Sequence, residues 1–520
     1  MNGRPKRILF FLDHAGNLRH YDDPIRLLVR GGHVVRLAFA RDARSGSDRL
    51  LVERLAAGLP ELQIERAPRR GDLDGWRPTS TLIRAAADLA RFLHPRFAHA
   101  PALRSRAAGM LLDPRRSSPV RSGSGLRGSI ETALASLTSE RGSRTALRIL
   151  AACERAIPTS PRLDRFVAAF DPDVVLVTPM VQFASAQADA LKSAQALGIA
   201  TGVCIPSWDN LTTKGLLRFE PDRVFVWNEA QRVELEEQHG IAAERAVTTG
   251  AQRFDKWFER QPSRTHAEFL EHAGVDGGGP FVLYTCSTTF VAFDAPDEVS
   301  FVRRWLAALR EDERFTPGRL GVVVRPHPQN AAPWAGVDLS SFGNAVVWPP
   351  GGEHPDTGDA RADFFDSLAH AAAVVGINTT AMLEAAIVGK NVLTWLDPAF
   401  AGTQEETLHF QHLLREHGGF LRIARSSEEH REQLATALAG GSDELERVRS
   451  FVASFVRPHG LDVPAAPILA AGIVELAETP RKPPPSDAPG ASVLRAALLV
   501  PVALATILSL VRQLRRAGGA

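Results

Sequence analysis

Short apolar runs recur along most of the chain, and amphipathic or polar stretches separate them. "RILFFLDH" reads as a strand, "YDDPIRLLVRGG" as a helix ending in glycine, and "HVVRLAFA" as the next strand. This βαβ opening predicts a parallel sheet with a right-handed crossover. The pattern resumes at "DPDVVLVTP", "GIATGVCIPSWDN", "PDRVFVWN" and "ERAVTTGAQRFD". Continuous apolar runs of this kind, bounded by turn or helix signals, suit strands buried on both faces of a doubly wound sheet. A second βα series follows Pro262: "GPFVLYTCSTTF", "GRLGVVVRPHPQN", "GNAVVWPP", "HAAAVVGINTTAMLEAAIVGKNVLTWLDP" and "GGFLRIA".

The fold class expected is therefore α/β, with two Rossmann-like doubly wound domains facing across a cleft and a C-terminal hydrophobic tail. The first domain covers 1–258 and carries an Arg-rich helical insert at about 69–162. The second covers 259–455, a helix lies within 456–479, and a Pro-rich linker spans 480–492. A hydrophobic membrane-attachment segment closes the chain at 493–516. No short tandem period is visible, which excludes a solenoid.

Composition narrows the function classes. The chain has 520 residues, is 44% hydrophobic and carries a net charge of only +2, so nothing in its charge calls for a nucleic-acid partner. Cys153, Cys204 and Cys286 lie far apart with no CxxC or Cys/His spacing, which argues against disulfides and structural zinc and fits a reducing cytosol. The basic N-terminus is followed by an apolar run, Ile8 to Leu12, too short for a signal sequence.

The tail differs. From Ala496 to Val511 there is no charge, about 16 residues against the roughly 17–25 of a spanning helix. Arg495 can snorkel, and Arg512, Arg515 and Arg516 can bind anionic headgroups. Positive charge after the apolar run argues against crossing from the cytosol. The expected location is cytoplasmic, attached to the inner face of the membrane.

Candidate chemistry gathers where strands end, because open α/β sheets bind ligands outside the carboxyl ends of their strands. In "VVGINTTAMLEAAIVGKNVL" a strand passes through Asn378, Thr379 and Thr380 into a helix, whose first N–H groups suit a phosphate. Glu384 lies one turn below Thr380 and can accept hydrogen bonds from ribose hydroxyls. In "RPHP", prolines hold Arg325, with a bidentate fork, and His327, a donor open to protonation. "TCSTTF" adds Ser287, Thr288 and Thr289, a weaker signal.

In the first half, Asp13 and His14 follow the first strand and are candidate bases for an acceptor hydroxyl. "PSWDNLTTKG" offers Asp209 and Lys214 as acceptor contacts and Trp208 as a stacking platform. "DPD" at Asp171 to Asp173 precedes a strand, on the wrong sheet edge for a metal site, and no metal is expected. No P-loop lysine motif, GxSxG or HExxH is present.

These residues resemble a family. The two α/β halves look like the GT-B fold of nucleotide-sugar glycosyltransferases. "TTGAQRFDKW" is similar to the Gly-x-x-Arg-x-Asp segment that ends the N-terminal half of several such enzymes. These include CDP-glycerol glycerophosphotransferases and nonhydrolysing UDP-N-acetylglucosamine 2-epimerases. "RPHP" resembles the His-Pro motif that CMP-sugar and CDP-glycerol transferases place at the nucleotide phosphate, and "NTTAMLEAAIVGKNVL" resembles their phosphate turn and ribose glutamate. The resemblance implies a final helix crossing back to the first half, here within "DVPAAPILAAGIVELAE". The resemblance assigns no counterpart to the region from Arg69 to Arg162.

The resemblance implies an inverting, metal-independent transferase without cofactor, active in cell-envelope or surface-glycan assembly. Its donor is a nucleotide-activated sugar or glycerol, and its acceptor a glycan or a lipid-linked group. Thr379, Thr380, Arg325 and His327 stabilise the leaving phosphate, Glu384 holds the ribose, and His14 or Asp13 deprotonates the acceptor. Two alternatives stand beside it: a nucleotide-sugar epimerase of the same fold, and a noncatalytic membrane-tethered scaffold.

Overall fold

The computed structural model describes residues 4–43, 46–112, 137–288, 297–355, 357–486 and 489–517. The chain forms two compact units, Met1–Arg253 with Pro464–Ala520, and Phe254–Val463.

The first unit contains seven parallel strands: β1 (Arg7–Leu12), β2 (Val34–Phe39), β3 (Gln63–Arg66), β4 (Val174–Thr178), β5 (Ala200–Cys204), β6 (Arg223–Val226) and β7 (Ala246–Thr248). Their order is β3-β2-β1-β4-β5-β6-β7. Alternation along β1 feeds two cores. Ile8, Phe10 and Leu12 join the cluster on one face, and Leu9 and Phe11 the cluster on the other. The helix Ala465–Leu476 belongs to this unit, and its Leu469, Ile473 and Leu476 complete the core around Phe10 and Tyr21.

β3 was not expected. It is a largely exposed edge strand, "QIER", with one apolar residue and so no run to read.

The Arg-rich insert includes three described helices, Trp76–Phe92, Pro101–Leu112 and Glu140–Ala156. The loop "DPRRSSPVRSGSG" falls outside the described residues. Part of its arginine content is structural. Arg84 is buried and donates to Glu154 at 2.7 Å and to Asp189 at 2.9 Å, and Arg70 donates to the same Asp189 at 3.1 Å. The fully buried Asp88 accepts from Arg218 at 2.5 Å and from the Ala184 and Leu216 N–H groups. Charges this deep persist only when paired and hydrogen-bonded.

The second unit contains β8 (Phe281–Thr285), β9 (Gly321–Arg325), β10 (Ala345–Val347), β11 (Ala373–Gly376), β12 (Val392–Trp395) and β13 (Arg422–Ala424). All pair in parallel, in the order β10-β9-β8-β11-β12-β13. Both sheets thus begin at a central strand, run outward, and return across it. This is the doubly wound order, with its switch point between the first and fourth strands of each sheet. A long apolar helix, Ala491–Ala517, closes the chain. The side chains of Arg512, Arg515 and Arg516, given a headgroup role above, lie outside the described atoms.

Candidate functional site

Register brings three of the expected loops to one level in the second unit. Thr285 of β8 pairs with Arg325 of β9 on one side and with Gly376 of β11 on the other. Adjacent strands lie about 4.8 Å apart. The segments that follow, Cys286–Thr288, Pro326–His327 and Ile377–Thr380, therefore leave the sheet side by side. The switch point falls between β8 and β11. Asn330 Nδ2 donates to the Ser287 carbonyl at 3.2 Å and ties two of these loops together. Thr289 lies outside the described residues.

The side chains at this edge differ in how they are engaged. Arg325 is 5% exposed and donates through Nη1 to Asp363 Oδ2 at 2.8 Å, while Trp348 Nε1 donates to the same carboxylate at 3.2 Å. Its guanidinium also stands over Phe364, 5.1 Å from the ring centroid. The expected open fork is thus half occupied. Asp363 comes from the helix Gly358–His370, far along the sequence, and no local signal announces it.

His327 is not a charged donor. Burial, with His354 nearby, pulls its imidazole down to about 4, so it is neutral at physiological pH. Its Nδ1 accepts from the Gln329 N–H at 3.1 Å, capping the short turn Pro328–Asn330. That assigns the proton to Nε2. His327 is a neutral N–H donor with a fixed ring.

The helix Ala381–Ile387 begins after Thr380, and the Glu384 N–H donates to the Thr380 carbonyl at 3.1 Å. Thr379 and Glu384 are 8% and 7% exposed, so little of Glu384 is solvated. Asn378 donates to the Thr403 carbonyl and lies 3.1 Å from His409 Nε2. With Gln404, which donates to Thr394 Oγ1 at 2.9 Å, these residues form a buried polar bed beneath the turn. Sequence reading missed that bed, because its members come from the irregular stretch Pro398–Gln411.

Glu298 was also missed. It is buried at the start of the helix Glu298–Arg310, accepts from the Ser287 N–H at 3.0 Å and from Tyr284 Oη at 3.1 Å, and burial pushes its carboxyl up to about 7.

In the first unit Asp13 and His14 follow β1 at the switch point, and the Asp13 N–H donates to the Thr178 carbonyl of β4 at 3.1 Å. Their acceptor atoms are already engaged. Asp13 is 8% exposed and accepts Arg41 Nε at 3.0 Å, with a second contact from Arg41 Nη2. His14 Nδ1 accepts from the Gly16 N–H at 3.1 Å and caps the turn Ala15–His20. The ring proton then sits on Nε2, so His14 presents a donor there rather than a base.

Trp208 is 2% exposed and packs in the interior, so it has no face to offer a sugar ring. Asp209 and Lys214 pair with each other at 3.5 Å, and burial, opposed by Asp209, brings the Lys214 ammonium down to about 8. Asp209 also accepts from Ser207 Oγ at 2.6 Å. Arg106 of the insert sits beside this pair, its guanidinium lowered to about 10 by burial and 5.1 Å from the Phe183 centroid.

No protein-family model matches the chain, and no curated protein matches it. Its fold is similar to three solved structures, among others. The UDP-GlcNAc 2-epimerase of Neisseria meningitidis bound to UDP-GlcNAc is 11% identical, with 90% of this chain and 100% of that one covered and a TM-score of 0.48. A glycosyltransferase from Rickettsia africae is 10% identical, with 92% and 100% covered and a TM-score of 0.47. WaaG, a glycosyltransferase involved in lipopolysaccharide biosynthesis, is 11% identical, with 90% and 99% covered and a TM-score of 0.44. Likenesses at this level carry no inference about substrate or reaction.

Proposed function

We propose that the chain is a transferase that uses a nucleotide-activated sugar or glycerol donor, bound at the carboxyl edge of the second sheet. The observation that supports this most is the register Arg325–Thr285–Gly376. It sets three polar loops side by side at a topological switch point, where this sheet order leaves a crevice. Nε2–H of His327, the hydroxyls of Thr379 and Thr380, and Ser287 and Thr288 contact the donor phosphates. Glu384 holds the ribose. Arg325, shared with Asp363, lends its other terminal nitrogen, Nη2. A neutral N–H donor and hydroxyls stabilise developing charge on a leaving phosphate without needing proton transfer of their own.

In the first unit, Asp209 and Lys214 orient the acceptor, His14 donates to it from Nε2, and the proton that the acceptor hydroxyl loses as the new bond forms passes to the departing nucleotide phosphate. The acceptor is a glycan or lipid-linked group, and the apolar helix Ala491–Ala517 holds the protein at the cytoplasmic face of a membrane. The reading belongs to cell-envelope or surface-glycan assembly.

The experiment incubates the purified chain with CDP-glycerol, UDP-sugars and a CMP-sugar, with and without lipid-linked glycan acceptors. The reading expects nucleotide release that depends on acceptor. Conversion of a UDP-sugar to its 2-epimer with no acceptor present overturns it in favour of the epimerase. No turnover and no nucleotide binding overturn it in favour of a scaffold.

A further inference from the structure

Fifteen large hydrophobic side chains are prominently exposed among the described residues, and nine of them lie on three helices of the first unit that pack together: Trp76–Phe92, Glu140–Ala156 and Ala491–Ala517. The other six are Leu27, Leu50, Leu73, Val233, Leu445 and Val463, which lie outside these three helices. The concentration on one helical group calls for a cover.

The last helix is held by one narrow face. Leu494, Leu498, Val502, Ala505 and Thr506 are partly covered and recur at helical spacing, while Val493, Leu499, Val500, Leu504, Ile507 and Leu508 are exposed. Arg495 Nε donates to the Ala156 carbonyl at 2.9 Å. Gly75 lies against the middle of the helix, where a Cβ would meet the Val502 carbonyl oxygen at 2.2 Å and Thr506 Oγ1 at 2.3 Å. Only glycine permits that approach. The apolar window Ala491–Leu508 is 6% buried.

Length and composition alone would let this helix cross a bilayer. The packing argues otherwise. Val502 and Thr506 sit mid-way along the uncharged stretch, yet their neighbour Gly75 is flanked by Asp72, Asp74 and Arg77, with Arg77 paired to Asp72. A spanning helix held this way would carry those charges into the hydrocarbon, where ionised groups are strongly disfavoured. In the plane of one leaflet the same contacts are compatible: apolar face down, charged flank at the headgroups.

Charge identifies the lipid. Arg141, Arg144, Arg148 and Arg155 are exposed on Glu140–Ala156. Their spacing confines them to a sector of roughly 60°. Among the described residues only Arg144 of the four has a carboxylate partner, Glu140 at 2.6 Å. Leu82 lies two turns along the same helix face as Gly75, and Ile149 projects from the Arg-bearing helix, each more than half exposed. A basic stripe beside bare hydrocarbon matches an anionic bilayer surface.

We propose that the C-terminal helix lies in the plane of an anionic membrane and that the Arg-rich insert docks with it as one surface. This rests on the membrane-attachment part of the proposed function and adds its geometry, its headgroup class and a role for the insert.

The test uses the full chain with Cys153→Ser, since Cys204 and Cys286 are buried. Single cysteines at Leu82 and Val500 carry an environment-sensitive fluorophore, and vesicles are phosphatidylglycerol or phosphatidylcholine. Both probes should shift to the blue on phosphatidylglycerol and be quenched by lipids labelled near the headgroup. Changing Arg141, Arg144, Arg148 and Arg155 to Gln should weaken partition by roughly tenfold or more. A Val500 probe quenched at the bilayer centre while the Leu82 probe stays aqueous overturns the in-plane surface but keeps membrane attachment. No shift at either probe, with the chain sedimenting as a dimer, overturns both in favour of a second copy as the cover.

Discussion

Asn330 donates its side-chain N–H to the main-chain carbonyl of Ser287 at 3.2 Å, joining the loop after β9 to the loop after β8 across the proposed donor edge. Asn330 is half-buried, and its role is to hold two loops in register. Asn330→Ala should weaken nucleotide binding about fivefold, the value of roughly 1 kcal/mol for one lost hydrogen bond. Titration calorimetry with the tightest nucleotide checks this. An unchanged dissociation constant shows that the loop tie does not matter to the site.

Glu298 and two histidines set opposite pH dependences on stability. Glu298 titrates near 7 in the folded chain, above the ordinary 4.5, so it favours folding below pH 4.5 and loses that contribution as pH rises through 7. His327 and His430 titrate near 4, below the ordinary 6.5, so they are without penalty above 6.5 and disfavour folding as pH falls from 6.5 to 4. Glu298→Gln should remove only the first effect. Melting curves across pH 4.5–7.5 should then rise more steeply with pH in the variant than in the parent. Parallel curves would show that the Glu298 carboxyl is not protonated in the fold.

The charge network of the insert should be integral to the first unit. Arg84→Ala leaves Glu154 and Asp189 buried with less compensation. Breaking a buried pair costs about 3–5 kcal/mol. Denaturant unfolding of the parent and variant should show a loss of that order. A loss near zero would mean that the insert contributes nothing to the stability of the unit.

Gly16 is a local requirement of the loop after β1. A Cβ there would meet Asp48 Oδ1 at 2.7 Å and His14 Nδ1 at 2.9 Å. Gly16→Ala should displace the His14 ring and lower transfer activity by about tenfold or more, since small misplacements at a reacting centre have effects of that size. Full activity in the variant would remove His14 from the acceptor site.

Much of the fold was legible because buried parallel strands announce themselves as uninterrupted apolar runs. "FVLYT", "GVVVR" and "AVVG" became β8, β9 and β11, while the register that aligns their ends is a property of the folded sheet. β3 was illegible because an exposed edge strand needs no apolar run. Around the candidate site, His14 follows β1, Arg325 ends β9 with His327 just after it, and Thr380 precedes the helix Ala381–Ile387, as their flanking runs suggest, but the partners of their polar atoms were not legible. Asp363 reaches Arg325 across 38 positions, and side-chain caps at His14 and His327 depend on backbone angles that residue type does not specify. Trp208 shows the same limit in reverse: a loop position suggested access, and tertiary packing removed it.

The central claim is that a nucleotide sits at the edge formed by His327, Thr380 and Glu384. The direct measurement is calorimetric titration of CMP, CDP, UDP and GDP into the full chain and into His327→Ala, Glu384→Ala and, as a first-unit control, Lys214→Ala. The account predicts at least one nucleotide bound by the parent, its affinity lowered about tenfold or more in the first two variants, as losing a charged or well-placed hydrogen bond implies, and retained in the third. Variants at His327 and Glu384 that bind every nucleotide as the parent does would contradict it.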